Sequence, residues 1–391
     1  MGYSYRIFDS IEHVDASEWQ HVRSACNGSI FMDPQFIAAV EAGMKQVERF
    51  WYIVVHDESG APVACASASA VTMDLADFAD PGLARIIRFR PLQRSRLRRL
   101  KLLIGGLPVG TGHHSLALAE PSASARILPV LDRVICNLAT AVRADAVVYK
   151  EFGEGDLMWT EPLLKLGYHR VPTPPMHFFE PVFENFSQYC AALKSRYRHQ
   201  INQSRRKLSD GGLKIVVLSD PHAIMRAYTS EVHALYHQMA DKAAMKVEVL
   251  PIEFLHQLTA RLNGRIELLT IRKDARIVAF GWNVHDRTSF HAMYGGLDYR
   301  FNHEFDLYFN LIYAMLDCAL TKRVSRIEVG LGADAFKAKI GCRAEPLYVF
   351  AKGRGPMMSL LMHVAGNLLI AQKPVPAPFK IFRNGIVGGP S

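Results

Sequence analysis

IELLTIRKDARIVAFGWNV, residues 266–284, decides the fold. Two runs rich in β-branched and aromatic residues meet at Lys273-Asp274, which reads as a β-hairpin. An earlier stretch repeats it: WYIVVHDESGAPVACASAS, residues 51–69, places two similar runs around Glu58-Ser59-Gly60. Downstream of each hairpin comes a helix and then a strand. Residues 128–150 carry apolar positions at spacings of three and four and then a short strand at 146–149; residues 307–329 do the same, with the strand at 326–329. The hairpins lie about 215 residues apart and the strands about 180, so the N-terminal half holds an extra segment of about 35 residues. Each half runs helix, hairpin, further strand, helix, strand and final hairpin; in the first half the last hairpin spans 167–178 around Pro172-Thr173-Pro174-Pro175. Such an order predicts an α/β (α+β) chain of two tandem lobes, each a mixed, mostly antiparallel sheet flanked by helices. The boundary falls within 181–185, giving domains 1–182 and 183–391 that share an interface, where a substrate cleft would lie.

Composition narrows the class. The chain has 391 residues, 49% hydrophobic and 21% charged, enough apolar surface for packed cores. Its six cysteines (Cys26, Cys65, Cys136, Cys190, Cys318, Cys342) show neither C-x-x-C spacing nor a nearby His at metal-ligand spacing, so no metal site is expected and a reducing, cytoplasmic setting fits. The most apolar run, 357–370, is too short to span a bilayer, and following Lys352 and Arg354 it reads as a packed helix or a peripheral membrane contact. The formal charge of +9 is uneven. Residues 84–101 hold eight basic residues and no acidic one, and residues 194–207 hold six more; without these fourteen the chain stands at −5. Such patches attract RNA, a phosphorylated cosubstrate or an acidic carrier protein, or are simply solvated. In the second patch Leu193, Tyr197, Ile201 and Leu208 make an apolar stripe, while Lys194, Arg198, Asn202 and Arg205 share a neighbouring face, and Asp210-Gly211-Gly212 stops the helix.

The basic helix KSRYRHQINQSRRKL (194–208), the strand and loop FHAMYGGLDYRFNHEFDLYF (290–309) and the run EVGLGADAFKAKIG (328–341) resemble the GNAT acyltransferase superfamily in its FemAB-like branch. IFMDPQFIAAV (30–40) is similar to that family's opening element. The resemblance implies two GNAT-like lobes, the first with a basic insertion at 73–105 and the second ending in the apolar helix. It also implies an acyltransferase activity, with Gly330, Lys337 and Gly341 as the strand-end glycine, the loop lysine and the closing glycine. Residues 295–303 lack the R/Q-x-x-G-x-G/A spacing with which acetyl-CoA-binding members hold pyrophosphate. No sustained heptad run follows Leu208, so the coiled-coil arm of tRNA-reading FemAB ligases is not expected.

Amide formation from a thioester or ester requires a deprotonated amine, a stabilised oxyanion and a proton for the leaving group. Through the resemblance Lys337 would hold the oxyanion or the donor's phosphates, with Lys339 on the surface. Glu328 or His291 is the candidate base, although a lone strand histidine also reads as structural. Alternation places His291 with Met293 on one face and Ala292 with Tyr294 on the other. Tyr294 could protonate a leaving thiolate, and Asp298 and Arg300 sit where the family's donor loop lies. Arg198, Asn202 and Arg205 are the donor-binding row. In the glycine-dense run 105–112, Gly110 and Thr111 are candidate substrate-lining residues; the following His113-His114 pair does not suffice for a metal. Walker, G-x-S-x-G, H-E-x-x-H and Rossmann patterns are missing. The expected activity is transfer of an acyl or aminoacyl group to a small-molecule, peptide or lipid amine, without a tightly bound cofactor, from acyl-CoA, acyl-carrier protein or aminoacyl-tRNA. The alternative is a non-catalytic RNA- or carrier-binding protein on a GNAT-like scaffold.

Overall fold

The computed structural model describes residues 2–26, 28–74, 99–242, 249–355, 358–359 and 379–383. Most of the first basic patch and most of the apolar run 357–370 lie outside them. The chain forms two compact units, the first drawn from Met1–Thr173, Ala244–Arg261 and Pro346–Lys373, the second from Pro174–Ala243, Leu262–Glu345 and Pro374–Ser391.

In the first unit the sheet runs β1 (Ser4–Phe8), β2 (Arg49–His56), β3 (Pro62–Asp74), β4 (Arg99–Gly105), β6 (Ala146–Gly153) and β13 (Arg343–Gly353), with β5 (Leu116–Leu118) paired to β3. The predicted hairpin is β2–β3. Its turn is set by Asp57, whose Oδ1 accepts from Ser59 N at 2.9 Å and Ala61 N at 3.0 Å, an Asx-type turn. Helices α1 (Ala16–Ala25), α2 (Pro34–Gly43), α3 (Ser124–Ala141), α4 (Leu157–Lys165) and α9 (Ile252–Arg261) belong to this unit. In α2, Asp33 is the N-cap and Pro34 occupies the first turn, where a missing N–H costs nothing. The three-and-four spacing read in α3 buries Ile127, Leu131, Val134 and Ile135 against Leu103, Val147 and Phe152 in one apolar cluster. Among the described residues the ladders β1–β2, β2–β3, β3–β4, β3–β5 and β6–β13 are antiparallel, and β4–β6 is parallel over four residue pairs.

The second unit repeats the plan. Its sheet runs β7 (His169–Phe179), β12 (Arg326–Leu331), β11 (Ser289–Leu297), β10 (Arg276–His285), β9 (Ile266–Lys273) and β8 (Leu213–Leu218), and among the described residues its one parallel ladder is β11–β12. The helices are α5 (Phe186–Ala192), α6 (Ser195–Asp210), α7 (Pro221–Ala227), α8 (Ser230–Lys242), α10 (Tyr299–Phe305), α11 (Leu307–Thr321) and α12 (Asp334–Lys339). α6 buries Tyr197, Ile201 and Leu208 as the stripe requires, together with Ser204, and ends at the Asp210-Gly211-Gly212 stop.

Two readings are corrected. Residues 167–178 do not form a hairpin: β7 passes straight through Pro172-Thr173-Pro174-Pro175. Proline's fixed φ is compatible with extended chain, and its missing N–H matters only where a ladder bond is needed. The strand leaves the first unit at Thr173, and its ladder to β12 begins later, at Met176. β7 thus follows α4 in sequence yet pairs with β12, while β13 follows α12 and pairs with β6. The second correction concerns alternation in β11. Trp282 pairs with Tyr294 and Asn283 with Ala292, so Met293 is an extra, bulged residue, and the two-face assignment cannot be carried from His291 through to Tyr294.

Candidate functional site

The parallel ladder of the second unit consists of three pairs, Ser289 with Arg326, Phe290 with Ile327 and His291 with Glu328. Both strands continue, but among the described residues they make no further ladder pairs with each other. β11 bulges at Met293, and the register of β12 against β7 shifts between Glu328 and Gly330. Two parallel strands that separate in mid-course turn backbone donors and acceptors into the gap, where an extended ligand can use them. Gly330 takes φ +78°, open to glycine at little cost, and a β-carbon there would lie 3.5 Å from the Ala292 carbonyl oxygen.

The last pair before the strands part is the chemically capable one. His291 Nδ1 lies 2.9 Å from Glu328 Oε2, with the two residues 5% and 2% exposed. The other carboxylate oxygen accepts from Arg326 Nε at 2.8 Å, and Arg326 also bonds Glu345 and lies 3.9 Å from the Phe178 ring centroid. The Glu328 carboxylate is thus held between an imidazole and a guanidinium. A carboxylate at Nδ1 also selects the tautomer whose lone pair is on Nε2, the form a general base needs.

Lys337 is no loop lysine. It lies in α12, 2% exposed, and its Nζ donates to the carbonyls of Gly330 at 2.8 Å and Leu331 at 2.9 Å. Burial pulls its ammonium down to about 8, against the opposing pull of Cys342 and Asp334. Lys339 is exposed, as expected. Two residues that the sequence did not single out join Lys337. His177 on β7 is the ladder partner of Gly330, and its Nε2 stands 3.5 Å from Asp334 Oδ1. Burial, then the Lys337 charge, lowers the His177 imidazole to about 4. No local signal marked them, because an isolated strand histidine and a helix-start aspartate carry no motif.

The remaining candidates are dispersed. Tyr294 packs edge-on to Tyr236, ring centroids 6.4 Å apart. Asp298 is the N-cap of α10, its side chain 1% exposed; it accepts from Arg300 N at 3.1 Å and Arg300 Nη2 at 2.6 Å, and Arg276 lies 3.4 Å away. The Arg300 hydrogen bond holds the Asp298 carboxyl below its ordinary range. On α6, Arg205 pairs with Asp317 at 2.9 Å and lies over the Phe186 ring, whereas Asn202 is exposed and Arg198 half-buried without an ion pair among the described residues. Gly110 and Thr111 belong to the first unit, where Thr111 N donates to Glu151 Oε2 at 3.3 Å.

Residues 195–338 match the family described as the acetyltransferase (GNAT) domain. No curated protein sequence matches the chain. Among solved structures the chain is similar to FemX (11% identity, 94% of this chain and 100% of that one, TM-score 0.55). It is also similar to a tandem GNAT protein from the clavulanic acid biosynthesis pathway (12%, 91% and 99%, TM-score 0.55). A third is the C-terminal domain of a protein assigned as a lysylphosphatidylglycerol synthetase in Agrobacterium fabrum (11%, 90% and 97%, TM-score 0.52). At these identities the likeness is one of fold: two GNAT units in tandem, as the FemAB-like resemblance implied.

Proposed function

We propose, with residues 195–338 as a GNAT acetyltransferase domain within a tandem GNAT fold, that the protein is an N-acyltransferase whose chemistry resides in the second unit. The observation that carries this is the parting of β11 and β12 immediately after the His291–Glu328 pair. An extended donor arm laid in the gap would bond strand backbone, bringing its acyl carbonyl to the dyad.

His291 Nε2 removes a proton from the acceptor's ammonium, and Glu328 stabilises the resulting imidazolium. The amine then attacks the acyl carbon. A C–N bond forms, the C–S bond of a thioester or C–O bond of an ester breaks, and the leaving group takes a proton, for which Tyr294 is the candidate donor. Lys337 fixes the path of β12 through two carbonyls and so acts as a positioning residue. Asp298 and Arg300 shape the turn into α10, Arg198 and Asn202 are left to meet an anionic donor, and Gly110 and Thr111 remain candidates for lining the acceptor.

The donor is acyl-CoA, acyl-carrier protein or aminoacyl-tRNA. One relative is named for a lysylated lipid and another for a GNAT fold studied without acetyl-CoA, so both donor classes belong in the test. The full chain is given radiolabelled acetyl-CoA or aminoacyl-tRNA and a panel of amines. Donor-dependent amide formation that His291→Asn abolishes is expected. Donor binding without turnover favours the non-catalytic scaffold reading instead, and turnover indifferent to His291 overturns the assignment of the site.

A further inference from the structure

The described segment 379–383 lies along the leading end of the basic helix. Lys194 N donates to Ile381 O at 2.9 Å, Arg383 N donates to Ala192 O at 3.0 Å, and Leu193 and Phe382 form a β-bridge. The Phe382 ring packs on Phe183 and Tyr189, with centroids 5.5 and 6.0 Å away. This seating brings Lys380 and Arg383 to the end of the helix that carries Lys194 and Arg198. Among the described residues none of these four makes an ion pair, and Lys380 and Arg383 are exposed. On the segment that leads to Phe186, Glu180 pairs with Arg343 at 3.1 Å, while Glu184 Oε2 accepts from the neutral Gln188 amide. Two large apolar side chains adjoin these segments in sequence and are exposed: Val182, next to the Phe183 that packs on Phe382, at 58%, and Phe379, next to Lys380, at 38%.

We propose that this face docks on an anionic lipid surface, Val182 and Phe379 entering the interface while Lys194, Lys380 and Arg383 meet the headgroups. Exposed cations alone suit any polyanion. Apolar side chains set among them gain only where water is left behind, and an aliphatic valine, which cannot stack on a base, favours lipid over nucleic acid. The inference does not depend on the acyl-transfer reading.

The test is sedimentation of the full chain with vesicles of phosphatidylcholine alone and vesicles containing about one third phosphatidylglycerol. Binding to the anionic vesicles that weakens as salt rises, with little binding to the neutral ones, is expected. Each cation at such a surface contributes roughly fivefold in affinity, so Lys380→Glu with Arg383→Glu lowers binding by about twenty-five-fold or more. Val182→Ser with Phe379→Ser lowers it several-fold and leaves the salt dependence intact. Unchanged melting temperatures establish that both double variants are folded. Equal binding to both vesicle types overturns the proposal. So does wild-type binding by the charge-reversed variant, or loss of vesicle binding to competing tRNA that depends on the same residues.

Discussion

The two parallel ladders, β4–β6 in the first unit and β11–β12 in the second, occupy the same place in the repeat and end differently. In the first, the ladder runs on to Gly105 and Tyr149, and the Tyr149 ring fills the space beside Gly105, where a β-carbon would fall 2.3 Å from it. Beyond it Lys150 and Glu151 pair at 3.2 Å, Lys150 donates to Val109 O at 2.6 Å, and Glu151 holds Thr111, so the following loop is tied down. In the second, the ladder stops one pair sooner, at a buried His–Glu pair, and both strands bulge beside it. One strand end is packed with an aromatic ring and an internal ion pair, the other with groups that can move a proton. Duplicated architecture therefore does not imply duplicated chemistry.

The largest effect should separate the two carboxylates. Glu328→Gln or His291→Asn is expected to lower the transfer rate by about a hundredfold to ten-thousandfold, the range of a lost general base. Glu151→Gln in the first unit should stay within about threefold, the mark of a residue outside the reaction. Equal losses at Glu151 and Glu328 would break the comparison. Next in size is Tyr149→Ala, which empties the space the first unit has filled and should cost about 3–5 kcal/mol in urea unfolding, with any folded fraction keeping its turnover. Lys337→Met follows: two buried carbonyls lose their donor, which should cost about 2–4 kcal/mol, with KM moving less than kcat if the lysine only positions β12.

The smallest effects are in pH dependence. Lys337 stands near 8 in the folded chain against an ordinary 10.5, so the unfolded chain holds more protons between those values. Its penalty is fully present below about pH 8 and fades as pH rises towards 10.5; Lys337→Met should remove that gain. His177, near 4 against 6.5, likewise makes stability rise across pH 4 to 6.5, and His177→Gln should flatten this limb. Melting temperature against pH reads both.

The periodicities of the sequence exposed the repeat because hairpins and amphipathic helices are local patterns. β2–β3, β9–β10, α3, α11 and the buried stripe of α6 stand where their spacing put them. What escaped was not local. Three prolines that read as a turn lie in a straight strand, since whether an N–H is missed depends on the neighbour. The bulge at Met293 depends on pairing with β10, which no spacing within β11 records. His291 and Glu328 were legible one by one, but their 2.9 Å contact is set by the register of strands 37 residues apart. Lys337 was found through resemblance, and its burial beneath β12 by structure alone.

The central claim, that donor and chemistry meet where β11 and β12 part, is tested most directly by amide hydrogen exchange with and without the donor that supports turnover. The account predicts slowed exchange over residues 292–297 and 329–331, with residues 105–112 unchanged. Protection confined to 105–112, with β11 and β12 exchanging as in the free protein, would contradict it.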